Sequence, residues 1–446
     1  MLYQSTDFRK NEIEGLLKLA QAGESASIIG VSGIGKSNLF NHLLDEKTRR
    51  QYFGDSFPDY ILVRVNFHYL PDFKERSVYS LILDQLELLE EQIDQLDLAE
   101  DFSEKIALYH EQLLEAGDDL LKVQRYFKLA VRQLLRHSSR KLIFLFDQFD
   151  ELFQEVEPRF FANLRGLREA YKYRIVFFVF TRNQLPELIP LDNAREEFFE
   201  LLSSNLVGLT PYNQQDANLL IERIVARNHT SLNSVDANVL YALSGGHAGL
   251  LRALLLLNDD VVYQADEPHK MQQLLDLPSI DFECKKIWAS LSFEEREILF
   301  YIAQNKLVET YNGAVAQLKI KGLVEKQKPH QIFSPIFSQY VMGQPNDWNE
   351  SLRLDTATRR VWVFNRPSET LTSLEYRVFQ TLYYRDGEVV TRDDIVEAGW
   401  PDAQGGVTDD AVTQIIRRLR EKIEPDRTSP QFIESVRGQG YKLVIA

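Results

Sequence analysis

The stretch GVSGIGKS, residues Gly30 to Ser37, constrains this chain more than any other. It follows the pattern G-x-x-x-x-G-K-[ST], and its flanks agree with it. The apolar ASII before it, Ala26 to Ile29, reads as the end of a buried strand, and NLFNHLLDE after it, Asn38 to Glu46, as an amphipathic helix. Strand, glycine-rich loop and helix are the context in which such a loop cradles phosphate. The glycines let the backbone turn tightly, so that successive N–H groups face an anion, and the new helix adds its positive dipole end. Gly30, Val31, Ser32, Gly33, Ile34, Gly35, Lys36, Ser37 and Asn38 are therefore the candidate nucleotide-binding residues. Lys36 is placed to reach the β- and γ-phosphates and the Ser37 hydroxyl to ligate Mg²⁺, so ATP or ADP with Mg²⁺ is the expected cofactor.

A second stretch fits the first. In KLIFLFDQFDEL, residues 141–152, an apolar run ends in Asp147. Such a run is a parallel strand buried on both faces, and its C-terminal end is where open α/β sheets bind ligands. Asp147 is expected to share the metal with Ser37, and Asp150 or Glu151 to orient or deprotonate an attacking water. The next buried strand, Ile175 to Phe180, ends in Thr181 and Arg182, a cation placed to sense a γ-phosphate. Farther on, SGGHAGLLRALLLL holds His247 at a helix start, a candidate contact to the nucleotide.

Composition limits the rest. With 446 residues the chain has material for two to four domains. Its one cysteine, Cys284, excludes an internal disulfide and fits a reducing cytoplasm. No signal peptide is read in MLYQSTDFRK, and the longest apolar runs are of core-strand length, so no membrane partner is expected. The net charge of −15 argues against a general polyanion binder. Residues 351–446, however, carry 14 Lys+Arg against 15 Asp+Glu, and the rest of the chain 37 against 51. Any nucleic-acid contact should lie toward the C-terminal end, on a local basic face.

Along the chain, helical periodicity is read over 1–25, 75–96, 102–136 and 160–172, and again over 216–227, 235–244 and the segment after His247. Residues 286–342 read as a first winged-helix pattern, and GQPNDWNE, 343–350, as a linker. Beyond it a small antiparallel sheet precedes two helices, and Thr408 can cap a third, running to Glu424. Val412, Ile415, Ile416, Leu419 and Ile423 form its apolar stripe; Arg417, Arg418, Arg420 and Lys422 project elsewhere. A hairpin follows, with Arg437, Gly438 and Tyr441. A basic helix and a basic hairpin have the shape of a major-groove reader with a wing, so those seven residues are the candidate DNA contacts.

Two resemblances rest on these residues. GVSGIGKS, LIFLFDQFDEL, FVFTR and SGGHAG resemble the Walker A, extended Walker B, sensor and lid motifs of STAND-type P-loop ATPases, within the AAA+ group that includes origin-recognition proteins. Gln148 stands where a small residue or glutamate is usual, and Ala248 where proline is. LTSLEYRVF, VVTRDDIVEAGWP, AVTQIIRRLREKIEPD and FIESVRGQGYKL resemble the OmpR/PhoB-type winged helix. The resemblances imply an α/β P-loop NTPase, a parallel sheet with flanking helices, followed by a helical lid and two winged-helix domains. The expected domains are 1–208, the ATPase; 209–278, the lid; 279–343, the first winged helix; and 350–446, which binds double-stranded DNA. They imply a DNA-binding transcriptional regulator controlled by nucleotide, with slow ATP hydrolysis as a switch and Asp150, Glu151 and Arg182 in catalysis. A STAND-type assembly scaffold, with winged helices that contact a protein partner or a second copy, is the alternative expectation.

Overall fold

The structure, a computed structural model, describes residues 7–89, 102–136, 139–189, 191–228, 237–257, 268–306, 312–324, 331–344, 351–364, 366–401, 406–426 and 430–445. The chain divides into two units, residues 1–185 with 191–291 and 298–343, and residues 186–190 with 292–297 and 344–446. Among the described residues no helix is long and apolar enough to cross a membrane.

In the first unit, β1 (Ala26–Ile29), β2 (Tyr60–Asn66), β3 (Lys141–Asp147), β4 (Ile175–Thr181) and β5 (Leu206–Gly208) form one parallel sheet, in the order β2-β3-β4-β1-β5. The apolar runs explain it. Every residue of β4 is buried, as is β3 from Leu142 to Asp147, so both strands must lie inside a sheet covered on both faces. Alternation sends Phe177 to one face and Phe180 to the other. On the first face Phe146 stacks on Phe177 at 5.6 Å and on Phe149 at 5.7 Å, and the cluster continues to Phe161 and Phe198. On the second, Phe40 from the helix after the glycine loop meets Phe180 at 4.5 Å. Burying each such ring contributes about 1.5–3 kcal/mol. The chain leaves β1 for the far strand β2, then works back through β3 and β4 and crosses β1 to reach β5. The order therefore reverses beside β1, which places the ligand crevice at the C-terminal ends of β1 and β4.

Two helices differ from expectation. The stretch 102–136 is two helices, Phe102–Glu115 and Leu120–Leu134. Gly117 between them has φ +58°, and the Asp119 carboxylate accepts from Lys122 N–H, which starts the second helix afresh. The helix expected over 75–96 spans Glu75–Glu87; residues 90–101 lie outside the described ones. Helices Gln214–Asn228, Ala237–Ser244 and Ala248–Leu255 follow β5, then Pro278–Ala289, Phe293–Ala303, Asn312–Ile320 and Pro335–Met342, with one bridge between Val324 and Ile332.

The second unit has two small antiparallel sheets. One is β6 (Leu352–Asp355), β7 (Arg360–Val363) and β8 (Arg366–Pro367); the other joins β9 (Val389–Thr391) to the hairpin of β10 (Ile433–Val436) and β11 (Gly440–Leu443). Three threonines set the helix starts: Thr372 and Thr391 in capping boxes, and Thr408 accepting from Ala411 N–H. The expected apolar stripe, Val412 to Ile423, packs on Phe379, Leu382 and Tyr441 in one core. This is a C-terminal winged-helix domain.

Candidate functional site

The glycine loop closes on the sheet through a bond from Gly30 N–H to the Thr181 carbonyl, 3.0 Å. Gly30 and Val31 are buried and do not line the cavity of about 840 Å³ that Ser32 to Asn38 line. Gly33 and Gly35 have φ of +77° and +98°, and a Cβ at Gly35 would meet the Tyr212 hydroxyl at 2.0 Å. Both positions therefore require glycine. The helix Lys36–Leu44 opens into the cavity, where its first N–H groups have no helical partner.

Lys36 reaches the end of β4, 3.4 Å from the Thr181 carbonyl. Burial pulls its pKa below the ordinary lysine value, opposed by the charges of Asp150 and Asp147. Asp147 is buried; its Oδ2 accepts from Arg64 at 2.7 Å and its Oδ1 has no partner. Asp150 is buried too: Oδ1 accepts from the Arg182 backbone N–H at 2.9 Å, with the guanidinium 3.6 Å away, and Oδ2 has no partner. Asp150 thus orients Arg182, which lines the cavity. Glu151, on the same helix, is exposed and does not line it, whereas Gln148 does. Buried carboxylate oxygens left without partners carry a desolvation cost that a cation would relieve. Together with the Ser37 hydroxyl they are the hard oxygen donors that suit Mg²⁺, whose other ligands would come from phosphate and water. The donor set fits the ion.

His247 departs from expectation. It is fully buried, Nδ1 accepts from Leu250 N–H and Nε2 lies 2.9 Å from the Ser32 carbonyl. Both ring nitrogens are occupied, so the histidine caps the helix Ala248–Leu255 and ties it to the loop, leaving no nitrogen for a nucleotide. A bond from Gly249 N–H to the Gly33 carbonyl, 3.0 Å, reinforces that tie. Burial drives the imidazole pKa down to about 4. The unfolded chain takes up this proton near pH 6.5 and the folded one only near 4, so the stability His247 gives is full above 6.5 and lost as pH falls to 4. A shift of this size is worth about 3 kcal/mol. We expect His247→Asn to flatten the fall in melting temperature between pH 6.5 and 4; an unchanged pH profile would contradict it.

Several residues here escaped the sequence reading. Among the described residues, Arg223, Arg227, Arg252 and Lys286 line the cavity with Lys36 and Arg182, and Glu283 is the one acidic side chain lining it. They come from three helices far apart in sequence, and no local spacing announces them. Arg9, fully buried, donates to the carbonyls of Ile34 and Thr210 and stacks 4.5 Å from the Tyr212 ring. Lys321 is buried after the helix Asn312–Ile320, its Nζ 2.6 Å from Asn183 Oδ1, one residue beyond Arg182.

In the second unit the residues singled out as DNA contacts separate. Arg417 and Arg418 are exposed on one helix face with Thr413 and Gln414; Arg437 and Gly438 are exposed in the hairpin turn. Arg420 instead donates to the Ile433 carbonyl and the Ser435 hydroxyl, holding the hairpin to the helix. Lys422 turns inward to the Thr370 carbonyl and the Glu375 carboxylate, 2.6 Å away. Tyr441 is buried in the core. These last three serve packing because they flank or face the apolar stripe. The Asp409 carboxylate, at the helix start, pairs with Arg392 at 3.1 Å.

Residues 366–443 match the family described as "Transcriptional regulatory protein, C terminal". Among solved structures, the DNA-binding domain of Klebsiella pneumoniae RstA, in complex with the RstA box, is 26% identical over 21% of this chain and 91% of its own, TM-score 0.19. The Walker-type ATPase paby2304 of Pyrococcus abyssi is 13% identical over 76% of this chain and 99% of its own, TM-score 0.46. The ORC2 protein of Aeropyrum pernix, as ADPNP and ADP complexes, is 14% identical over 75% and 93%, TM-score 0.39.

Proposed function

We propose that the chain is an ATP-controlled, DNA-binding transcriptional regulator. One observation carries this reading: a phosphate-loop cavity lined by six cations and flanked by orphaned carboxylate oxygens shares a chain with a domain of the transcription-regulator family. Residues Ser32 to Asn38 would hold the phosphates of ATP or ADP, Lys36 the β- and γ-phosphates. Ser37 and Asp147 would hold Mg²⁺, which when bound neutralises charge on the phosphates. Asp150 keeps Arg182 aimed into the cavity, where it would sense the γ-phosphate. In this reading helices 214–228, 237–244 and 248–255 are a lid in the 209–278 domain. Residues 279–343 form the first winged helix, in a STAND-type arrangement with the ATPase of 1–208. Arg417, Arg418, Arg437 and Gly438 would meet double-stranded DNA; Arg420, Lys422 and Tyr441 hold that surface in shape. Hydrolysis is slow and acts as a switch, in the cytoplasm.

The inward turn of Arg420 and Lys422 and the acids at the helix start also favour a second reading, a scaffold whose winged helices contact a protein or another copy. A genome-wide footprint of the purified chain, with and without ATP, separates the two. We expect protection of discrete sites that changes with ATP; uniform weak protection under both conditions would favour the scaffold.

A further inference from the structure

Asp147 is buried, and one cation bonded to it is Arg64 from β2. Arg64 pairs in register with Leu145, two residues before the level of Asp147, so its side chain runs along the sheet toward the strand's C-terminal end. There Nη2 donates to Asp147 Oδ2 at 2.7 Å, while the guanidinium lies 4.3 Å from the ring of Phe40, on the helix after the glycine loop. Arg64 thus touches both parts of the site, the loop helix and the acid strand. Its Nε and Asp147 Oδ1 are each buried without a partner. No motif in the sequence singles Arg64 out.

We propose that Arg64 is a positioning and charge-balancing residue for the metal site: it holds one Asp147 oxygen and supplies, without nucleotide, the positive charge the buried carboxylate needs. The inference rests on the reading of Asp147 as a metal ligand. A buried carboxylate without a counter-charge is costly, and a guanidinium at hydrogen-bond distance removes that cost. The same guanidinium repels a divalent ion arriving alone, since the carboxylate it would join is already neutralised. A nucleotide changes the balance by bringing several negative charges of its own. With Oδ2 fixed by Arg64, Oδ1 is the oxygen left to the ion, so Asp147 meets it through one oxygen. The consequence is an order of events: metal enters with the nucleotide and not before it.

The test uses Mn²⁺ as the probe in nucleotide-free full-length protein, with free Mn²⁺ read by electron paramagnetic resonance. We expect Arg64→Met to tighten Mn²⁺ binding by ~10-fold or more over wild type, because a repelling charge is removed. Arg64→Lys, which keeps the charge, should stay near wild type. Adding Asp147→Asn to the methionine variant should abolish the gain. Arg64→Gln keeps an N–H toward Asp147 and removes only the charge, so it reports the same quantity should the methionine variant not fold. Equal Mn²⁺ affinity in wild type and both neutral variants overturns the proposal, as does a gain that survives Asp147→Asn. Because no nucleotide is present, the outcome is independent of whether the chain binds ATP, which calorimetry on wild type decides separately.

Discussion

Lys36→Ala lowers ATP affinity by about 10²-fold or more, since a charged hydrogen bond is worth about 1.5–3 kcal/mol and the lysine would contact two phosphates. The alanine variant removes the charge at the mouth of the loop helix while Gly33 and Gly35 keep their left-handed turns. The loss should therefore come from binding and leave folding intact. Burial desolvates Lys36 and the charges of Asp150 and Asp147 oppose that cost, so its deletion leaves the two acids facing the phosphates with less compensation. Calorimetric titration with ATP and Mg²⁺ checks this, with the melting curve as the folding control. Equal affinity for the two proteins would remove the loop from the account.

The second large effect belongs to the C-terminal helix. Arg417→Ala with Arg418→Ala should weaken binding of duplex DNA by the chain by about 10- to 10³-fold, as each arginine at a base edge is worth about 1–3 kcal/mol. Arginines that contact phosphate instead show in the salt dependence, which should flatten by about one unit per lost contact. Lys422→Ala should behave differently. Its ammonium bonds the Glu375 carboxylate beneath the capping box of Thr372, and removing it strands a buried acid. We expect a lower melting temperature at an unchanged salt slope. If Lys422→Ala flattened the slope as the arginine pair does, the division between outward and inward cations would be mistaken.

That division was available in the sequence, in part. On a helical wheel Arg420 falls beside Ile416 and Lys422 beside Ile415 and Leu419, at the borders of the apolar stripe, whereas Gln414 and Arg417 lie opposite it. Charge alone drew attention to all four cations, and only their angle to the stripe separates them. Three of the sheet strands, β1, β3 and β4, were legible for a firmer reason, whereas the short, partly exposed β5 was not read. Runs such as KLIFLFD and IVFFVFT are buried on both faces, and no amphipathic alternative fits them. The glycine loop was legible because its chemistry is local. The cavity was not. Arg223, Arg252 and Lys286 converge through the packing of three helices, and Arg64 meets Asp147 through a strand pairing, so neither arrangement leaves a spacing to read. His247 was found for its position and misassigned in its role. A buried histidine at a helix start has a cap to satisfy before it can serve a ligand, and both its nitrogens are spent on the protein. The break in the long helical stretch lay in Gly117 and Asp119, a stop and a start signal in sequence, which hydrophobic periodicity overran.

The central claim is that nucleotide and DNA are felt by one another through this chain. The cavity helix Ala248–Leu255 is tied to the glycine loop by His247 and Gly249, and the segment after the helix Asn312–Ile320 is tied by Lys321 to the residue next to Arg182. A change at the phosphates therefore bears on both tethers. Linkage then requires reciprocity, with a coupling free energy of about 1–3 kcal/mol. The direct measurement is the affinity for a footprinted DNA site of the nucleotide-free, ADP-bound and ATP-analogue-bound chain, paired with ATP affinity with and without that DNA. The account predicts that DNA affinity changes by roughly 5- to 150-fold between nucleotide states, tighter with the ATP analogue, and that DNA changes ATP affinity by the same factor. DNA affinities that coincide in all three states would mean two modules that share a chain and nothing more.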